Sequence, residues 1–266
     1  MNRFASLALA AAALVAAPSA ANAAATVAGF DGTTLSACDD CFAGPASLGF
    51  SANFFGTTYS DTYVSNNGYV TFGAGQGSFT PQGLCAGYSG LPIIAAFFTD
   101  LDTRDNADAI VTYGTGTFAG RNAFGVNYDA VGQFSRAYDL VNTFQILLVD
   151  RADTGAGNFD ILFNYDDIQF GRNASAGYNA GTPGDDDNYF QLPGSLGGEA
   201  FTNGGSNPLV AGGNTGVAGR YLFSVRNGQV TPGVPEPTTW AMMIGGIGAA
   251  GGTLRRRKAK VSVRFA

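Results

Sequence analysis

Two stretches decide the fold: Phe144-Gln145-Ile146-Leu147-Leu148-Val149 and Phe159-Asp160-Ile161-Leu162-Phe163-Asn164-Tyr165. Phe144, Ile146 and Leu148 fall on one side of an extended chain, with Gln145, Leu147 and Val149 on the other. Phe159, Ile161, Phe163 and Tyr165 alternate in the same way with Asp160, Leu162 and Asn164. Period two over runs of this length is the signature of a strand, not of a helix. Between them lies Asp153-Thr154-Gly155-Ala156-Gly157, a turn-forming sequence, so the pair is read as a hairpin.

The same period extends outward in both directions. Tyr63-Val64 and Tyr69-Val70-Thr71-Phe72 flank Ser65-Asn66-Asn67-Gly68, whose Asn and Gly tolerate positive φ and signal a second hairpin. Ile93 to Phe98 is a short apolar run, expected as a buried strand. Ala109 to Tyr113 and Ala123 to Tyr128 are expected as strands around a glycine-rich turn, and Tyr221, Phe223 and Val225 as a closing strand. Residues 171 to 219 show little periodicity and many glycines, which suggests long loops and one short helix. The chain holds 39 glycines in 266 residues. The expected fold is all-β, or β-rich with short helices: an antiparallel β-sandwich or layered sheet with long Gly/Asn/Asp loops.

The two ends follow other rules. Arg3 precedes an apolar run from Leu7 to Ala17. Pro18 ends it, and Ala21-Asn22-Ala23 supplies the small-x-small pattern of signal peptidase. Residues 1–23 thus read as a signal peptide; the run is too short to span a bilayer and lacks an amphipathic face. At the other end Pro235-Glu236-Pro237 breaks the chain before Trp240, an uncharged run to Leu254, and the basic cluster Arg255, Arg256, Arg257 and Lys258. An interfacial Trp and a positive cluster bracket a short transmembrane helix over about 239–254. At about 1.5 Å per residue it spans roughly 24 Å, short for a hydrocarbon core and rich in glycine, which suits transient membrane association. The expected division is therefore 1–23 signal peptide, 24–233 β-rich ectodomain, 234–258 sorting segment and 259–266 tail.

Charge separates along these boundaries. Residues 24–233 carry 7 basic and 19 acidic side chains, whereas the whole chain has a net charge of −6. Such an ectodomain disfavours nucleic acid and anionic lipid, and favours divalent cations. The chain contains no histidine, which excludes Ser-His-Asp and Cys-His catalysis and histidine metal sites. Paired carboxylates of the glycosidase kind remain open by sequence alone. The series Asp100, Asp102, Asp105 offers hard oxygen ligands of the type calcium takes, against a bland reading as turn residues with Arg104 pairing locally. Cys38, Cys41 and Cys85 would be exported to an oxidising compartment, where the expected bond joins Cys85 to Cys38 or Cys41 and leaves one thiol over.

Two resemblances rest on these residues. Pro235-Glu236-Pro237, Trp240-Ala241-Met242-Met243, the glycine-rich helix and Arg255 to Arg257 resemble the PEP-CTERM sorting signal of Gram-negative bacteria. That resemblance implies recognition by an exosortase, cleavage near the Pro-Glu-Pro, and delivery to the cell surface or an extracellular exopolysaccharide matrix. Ala259 to Ala266 runs on past the basic cluster, a departure from the usual pattern. Tyr63 to Gly73, Pro92 to Arg104, Asn142 to Leu148, Phe163 to Ile168, Ala176 to Tyr178 and Tyr221 to Phe223 resemble, in order, a nidogen-like (NIDO) extracellular domain. It implies a non-enzymatic β domain of adhesion and matrix proteins, with no catalytic residues to carry over. The function so implied is adhesion or assembly with exopolysaccharide or surface proteins. The alternatives are a carbohydrate-binding module, for which eleven tyrosines could stack on sugars, and, less favoured, a polysaccharide hydrolase.

Overall fold

The computed structural model describes residues 24–182, 184 and 187–232. The expected signal peptide, the sorting residues Pro235, Glu236, Pro237, Trp240, Arg255, Arg256 and Arg257, and the expected membrane helix over 239–254 lie outside the described residues. Among those described, no helix is long and apolar enough to cross a membrane.

Two antiparallel sheets face each other. The first strand, β1 (Thr33–Thr34), leads to β2 (Phe42–Phe54), β3 (Thr57–Ser65), β4 (Tyr69–Thr71) and β5 (Ile93–Phe98). Then follow β6 (Leu101–Asp102), β7 (Ile110–Phe118), β8 (Arg121–Gln133), β9 (Ala137–Asp150) and β10 (Phe159–Ile168). The chain ends with β11 (Ser175–Asn179), β12 (Tyr189–Gln191), β13 (Arg220–Arg226) and β14 (Gln229–Pro232). One sheet has the order β1-β7-β8-β9-β10-β13-β14 with β6 on β8; the other has the order β12-β11-β5-β4-β3-β2. The only helix among the described residues is one 3-10 turn, Ala152–Thr154.

Alternation sets the layers. Ile146, Leu148, Ile161, Phe163, Phe223 and Val225 point inward, where Val64, Val70, Ile94 and Ala96 of the facing sheet meet them. The hairpin of β9 and β10 pairs Leu148 with Ile161 and Ile146 with Phe163; β13 pairs Phe223 with Ile161 as the closing strand. All six residues of β5 are buried. Two buried tyrosines bolt the sheets together: Tyr128 donates its hydroxyl to Ser65 O at 2.8 Å and Tyr165 donates to Ala96 O at 2.7 Å. Each aromatic ring so buried is worth about 1.5–3 kcal/mol of transfer free energy, and the hydroxyl bonds avoid orphaned polar groups inside.

Two expectations need correcting, and one strand went unread. Gly114 and Gly116 are not a turn; they lie within β7, where a Cβ on Gly116 would come within 2.9 Å of the Phe30 ring. The glycines make room for the N-terminal strap, and the turn falls at Ala119-Gly120, both at positive φ. Residues 171 to 219 contain β11 and β12 and, among the described residues, no helix. Their loops are anchored by Phe201 and Leu209, each 2% exposed. The long strand β2 carries a cis Gly44-Pro45 bond and two register shifts against β3, so its alternation is broken at the level of sequence.

Candidate functional site

The Asn66-Asn67-Gly68 turn between β3 and β4 is buried, which a hairpin turn at a surface would not be. Its position follows from close packing: a Cβ on Gly68 would lie 1.9 Å from Phe97 O, and the residue sits at φ +83°. Gly68 O accepts the amides of Ala96 and Phe97, both at 3.1 Å, so the turn is sewn to β5. Asn66 and Asn67 are fully buried and hold two other segments together. Asn66 Nδ2 donates to Asp39 O and to Leu101 O, each at 2.6 Å. Asn67 Oδ1 accepts the Leu101 amide at 2.8 Å, and its Nδ2 donates to Asp40 Oδ1 at 2.9 Å.

The Asp39-Asp40 segment is constrained in addition by its flanking cysteines. Cys38 is bonded to Cys41, and Cys85 is a free, exposed thiol. The expected Cys85 bridge to Cys38 or Cys41 is thus not formed. Cys85 is held elsewhere: its carbonyl accepts from Asn179 at the end of β11, and the preceding Leu84 amide donates to Gln191 of β12 at 2.6 Å. Thr103 ties the other side of the small disulfide loop, donating its amide to Cys38 O at 3.0 Å and accepting the Cys38 amide on Oγ1 at 3.0 Å.

The outcome is a three-carboxylate cluster. Asp39, Asp40 and Asp100 each present an oxygen within 4.8 Å of the other two. Asp39 Oδ1 and Asp100 Oδ1 are buried and accept no hydrogen bond. Burial, with the Asp40 and Asp39 charges beside it, pushes the Asp100 carboxyl up to about 6. Burial and the Asp102 charge raise Asp39 as well, although Arg104 pulls against them.

The series expected from the sequence does not converge. Asp102 is fully buried and engaged by arginine: it accepts Arg104 Nε at 2.9 Å and Nη2 at 2.5 Å and the Arg136 amide at 3.0 Å. Burial opposes its ionisation, but the bonds from Arg104 and Arg136 outweigh burial and hold it below the usual carboxylate range. Asp105, at φ +62°, pairs with Arg136 at 2.5 Å on the exposed side. Asp100 alone of the three belongs to the carboxylate cluster; Asp102 faces Asp39 only across the shared Arg104. Arg104 Nη2 pairs with Asp39 Oδ2 at 2.7 Å, but the donor set is all oxygen and the Oδ1 atoms of Asp39 and Asp100 lack any protein partner: these features fit a hard divalent cation.

A disulfide-pinned antiparallel sandwich, with its acidic cluster at one edge of the facing sheets, is a protein class of the extracellular kind. The chain belongs to the NIDO-related family, whose model matches residues 17–201, and it carries a PEP-CTERM protein-sorting motif at residues 233–258. Alpha-tectorin of Mus musculus is 29% identical over 229 residues, 73% of this chain and 10% of the relative. Alpha-tectorin of Homo sapiens is 28% identical over the same length and shares. The chain spans about a tenth of the length of these curated relatives. No solved structure matches it. The sorting motif implies processing by an exosortase and export to the cell envelope of a Gram-negative bacterium, and neither family is enzymatic.

Proposed function

We propose that the mature protein runs from about Ala24 to near Pro237 and acts at the cell surface or in the extracellular matrix without catalysing a reaction, by adhesion or assembly with exopolysaccharide or surface proteins. The observation that carries this reading is the junction itself: β14 closes the sandwich at Pro232 and the sorting motif starts at residue 233. The folded cargo and its sorting signal are joined without a spacer. The Asp39, Asp40 and Asp100 cluster takes calcium in this proposal, replacing the Asp100, Asp102, Asp105 set, and pins the disulfide loop to the β5–β6 turn. Calcium accepts six to eight oxygens in flexible geometry, which suits two aspartates on a short loop and one on a turn. Fractionating native cells tests the function: the protein should be found at the surface or in the secreted matrix, in association with exopolysaccharide or another surface protein. Quantitative recovery as a free periplasmic monomer would refute it.

A further inference from the structure

On the outer face of the seven-strand path, Leu147, Leu162 and Leu222 form a row across β9, β10 and β13. A second row in register sets Val149 beside Asp160 and Ser224. Leu147, Val149 and Leu162 alternate with the inward core residues and, with Leu222 packed against them, form an apolar cluster of their own. The N-terminal strap covers one end of it through Phe30, which packs where Gly125 leaves room. The other end is narrow: Val149 and Leu162 are each only 3% exposed, while Leu222, Phe118 and Val217 are half-buried. Val149, Leu162 and Leu222 floor a cleft of about 260 Å³, walled by Phe118 at the β7–β8 turn and by Val217 of the loop before β13.

Around this apolar floor stand Arg121, Arg151 and Arg220. Residues 24–233 have only seven basic side chains against nineteen acidic ones, so three arginines in one cleft are a local concentration, although Asp160 lines the same cleft and Asp153 pairs with both Arg121 and Arg151. Two of them are fixed in place by neighbours. Arg121 pairs with Asp153 at 2.9 Å, and Arg151 reaches Asp160 at 2.7 Å, which also pairs with Arg226 at 2.6 Å. Arg220 is different. It donates Nε to Asn164 Oδ1 at 2.8 Å and Nη2 to Ala25 O, and its guanidinium carbon lies 5.4 Å from the Phe118 ring centre. It makes no ion pair among the described residues; burial lowers its pKa, and the Asp166 charge nearby opposes that in part. A partly desolvated guanidinium whose direct hydrogen-bond acceptors are neutral, with no carboxylate in contact, can still accept an anion.

We propose that this cleft binds a carboxylated sugar residue of an acidic polysaccharide. The uronate carboxylate matches the planar donor fork of arginine, while the C–H face of the ring lies against the half-buried Leu222, Phe118 and Val217. The volume falls below the roughly 300–1,000 Å³ of sites for larger ligands, so the cleft takes one ring of a chain that continues along the surface. The proposal rests on the reading of the protein as a surface or matrix binder and names its ligand.

The test is calorimetric titration of the purified exported protein with trigalacturonate, with maltotriose as the neutral control and anionic phosphatidylglycerol vesicles as the competing class. Trigalacturonate should bind saturably, at least tenfold tighter than maltotriose, and weaken as salt rises. Val217→Asp, which places a negative charge on the cleft wall without touching the arginine network, should weaken binding at least tenfold at an unchanged melting temperature. Arg121→Gln, at the exposed turn, should weaken it severalfold. Equal binding of the two sugars, binding of vesicles but not of trigalacturonate, or indifference to Val217→Asp would overturn the proposal. Retention at the cell surface, measured on the same variants, separates the two readings. Loss of sugar binding from the start with surface association intact sinks the cleft alone; absence of surface association sinks the broader function.

Discussion

Replacing Asp100 by Asn should stabilise the cation-free protein at neutral pH, the reverse of what removing a buried charged group normally does. Asp100 keeps a buried oxygen with no hydrogen-bond partner beside two other carboxylates. Its folded pKa rises from the ordinary 3.8 to about 6. Because the folded state holds this proton more tightly than the unfolded chain, stability from this group is greatest below pH 3.8 and is lost as pH rises through about 6. A rise of that size corresponds to on the order of 3 kcal/mol. Solvent screening at a partly open site reduces this to about 1–2 kcal/mol. The assay is urea unfolding of wild type and Asp100→Asn in EDTA from pH 4 to 8, read as the difference between the two curves. The difference should grow in favour of the variant between about pH 4 and 6.5 and then level off. Calcium should reverse it: at a hundredfold excess over Kd it stabilises the wild type by about 2.7 kcal/mol, and the variant by much less. Magnesium at equal concentration, with its rigid octahedral demand, should do less than calcium. A variant that is less stable than wild type in EDTA at pH 7.5, or that keeps the full calcium shift, would refute the cluster.

Other perturbations follow from the same geometry. Gly68→Ala should destabilise by more than about 4 kcal/mol, read by denaturant unfolding, because its methyl would fall 1.9 Å from Phe97 O at positive φ. Asn67→Ala should lose about 2–3 kcal/mol in the same assay, since it orphans the buried Leu101 amide and releases Asp40. Non-reducing peptide mapping of exported protein should recover Cys38 joined to Cys41 and Cys85 alkylated; a Cys85 bridge to either would contradict the structure.

Much of the sandwich could be read directly because its central strands keep strict alternation. From Phe144 to Leu148 in β9 and from Phe159 to Tyr165 in β10 every second residue is large and apolar, and the register of the pair follows. β2 was illegible for a physical reason: Gly44, Pro45, Gly49 and two register shifts interrupt the period. β7 was cut short because Gly114 and Gly116 look like a turn, when they are small to admit Phe30. The acidic site was half legible. Asp100 was visible as an oxygen ligand, but closeness in sequence pointed to Asp102 and Asp105, which Arg104 and Arg136 capture. Its true neighbours, Asp39 and Asp40, come from a distant loop drawn in by Asn66 and Asn67. One signal was available: Asp39-Asp40 lies between Cys38 and Cys41, and closing that short ring orients both carboxylates. The outer cleft left no local signature, since its three arginines come from three separate strands and turns and meet only through register.

The most direct test of the whole account is intact-mass measurement of the protein recovered from native cells with and without the exosortase. With the enzyme, the recovered chain should begin near Ala24, lack Trp240 and the Arg255 to Arg257 cluster, and be found outside the inner membrane. Without it, the C-terminal segment should remain and the protein should stay with the membrane fraction. A surface-located chain that still carries Arg255 to Arg257 in both strains would contradict the account.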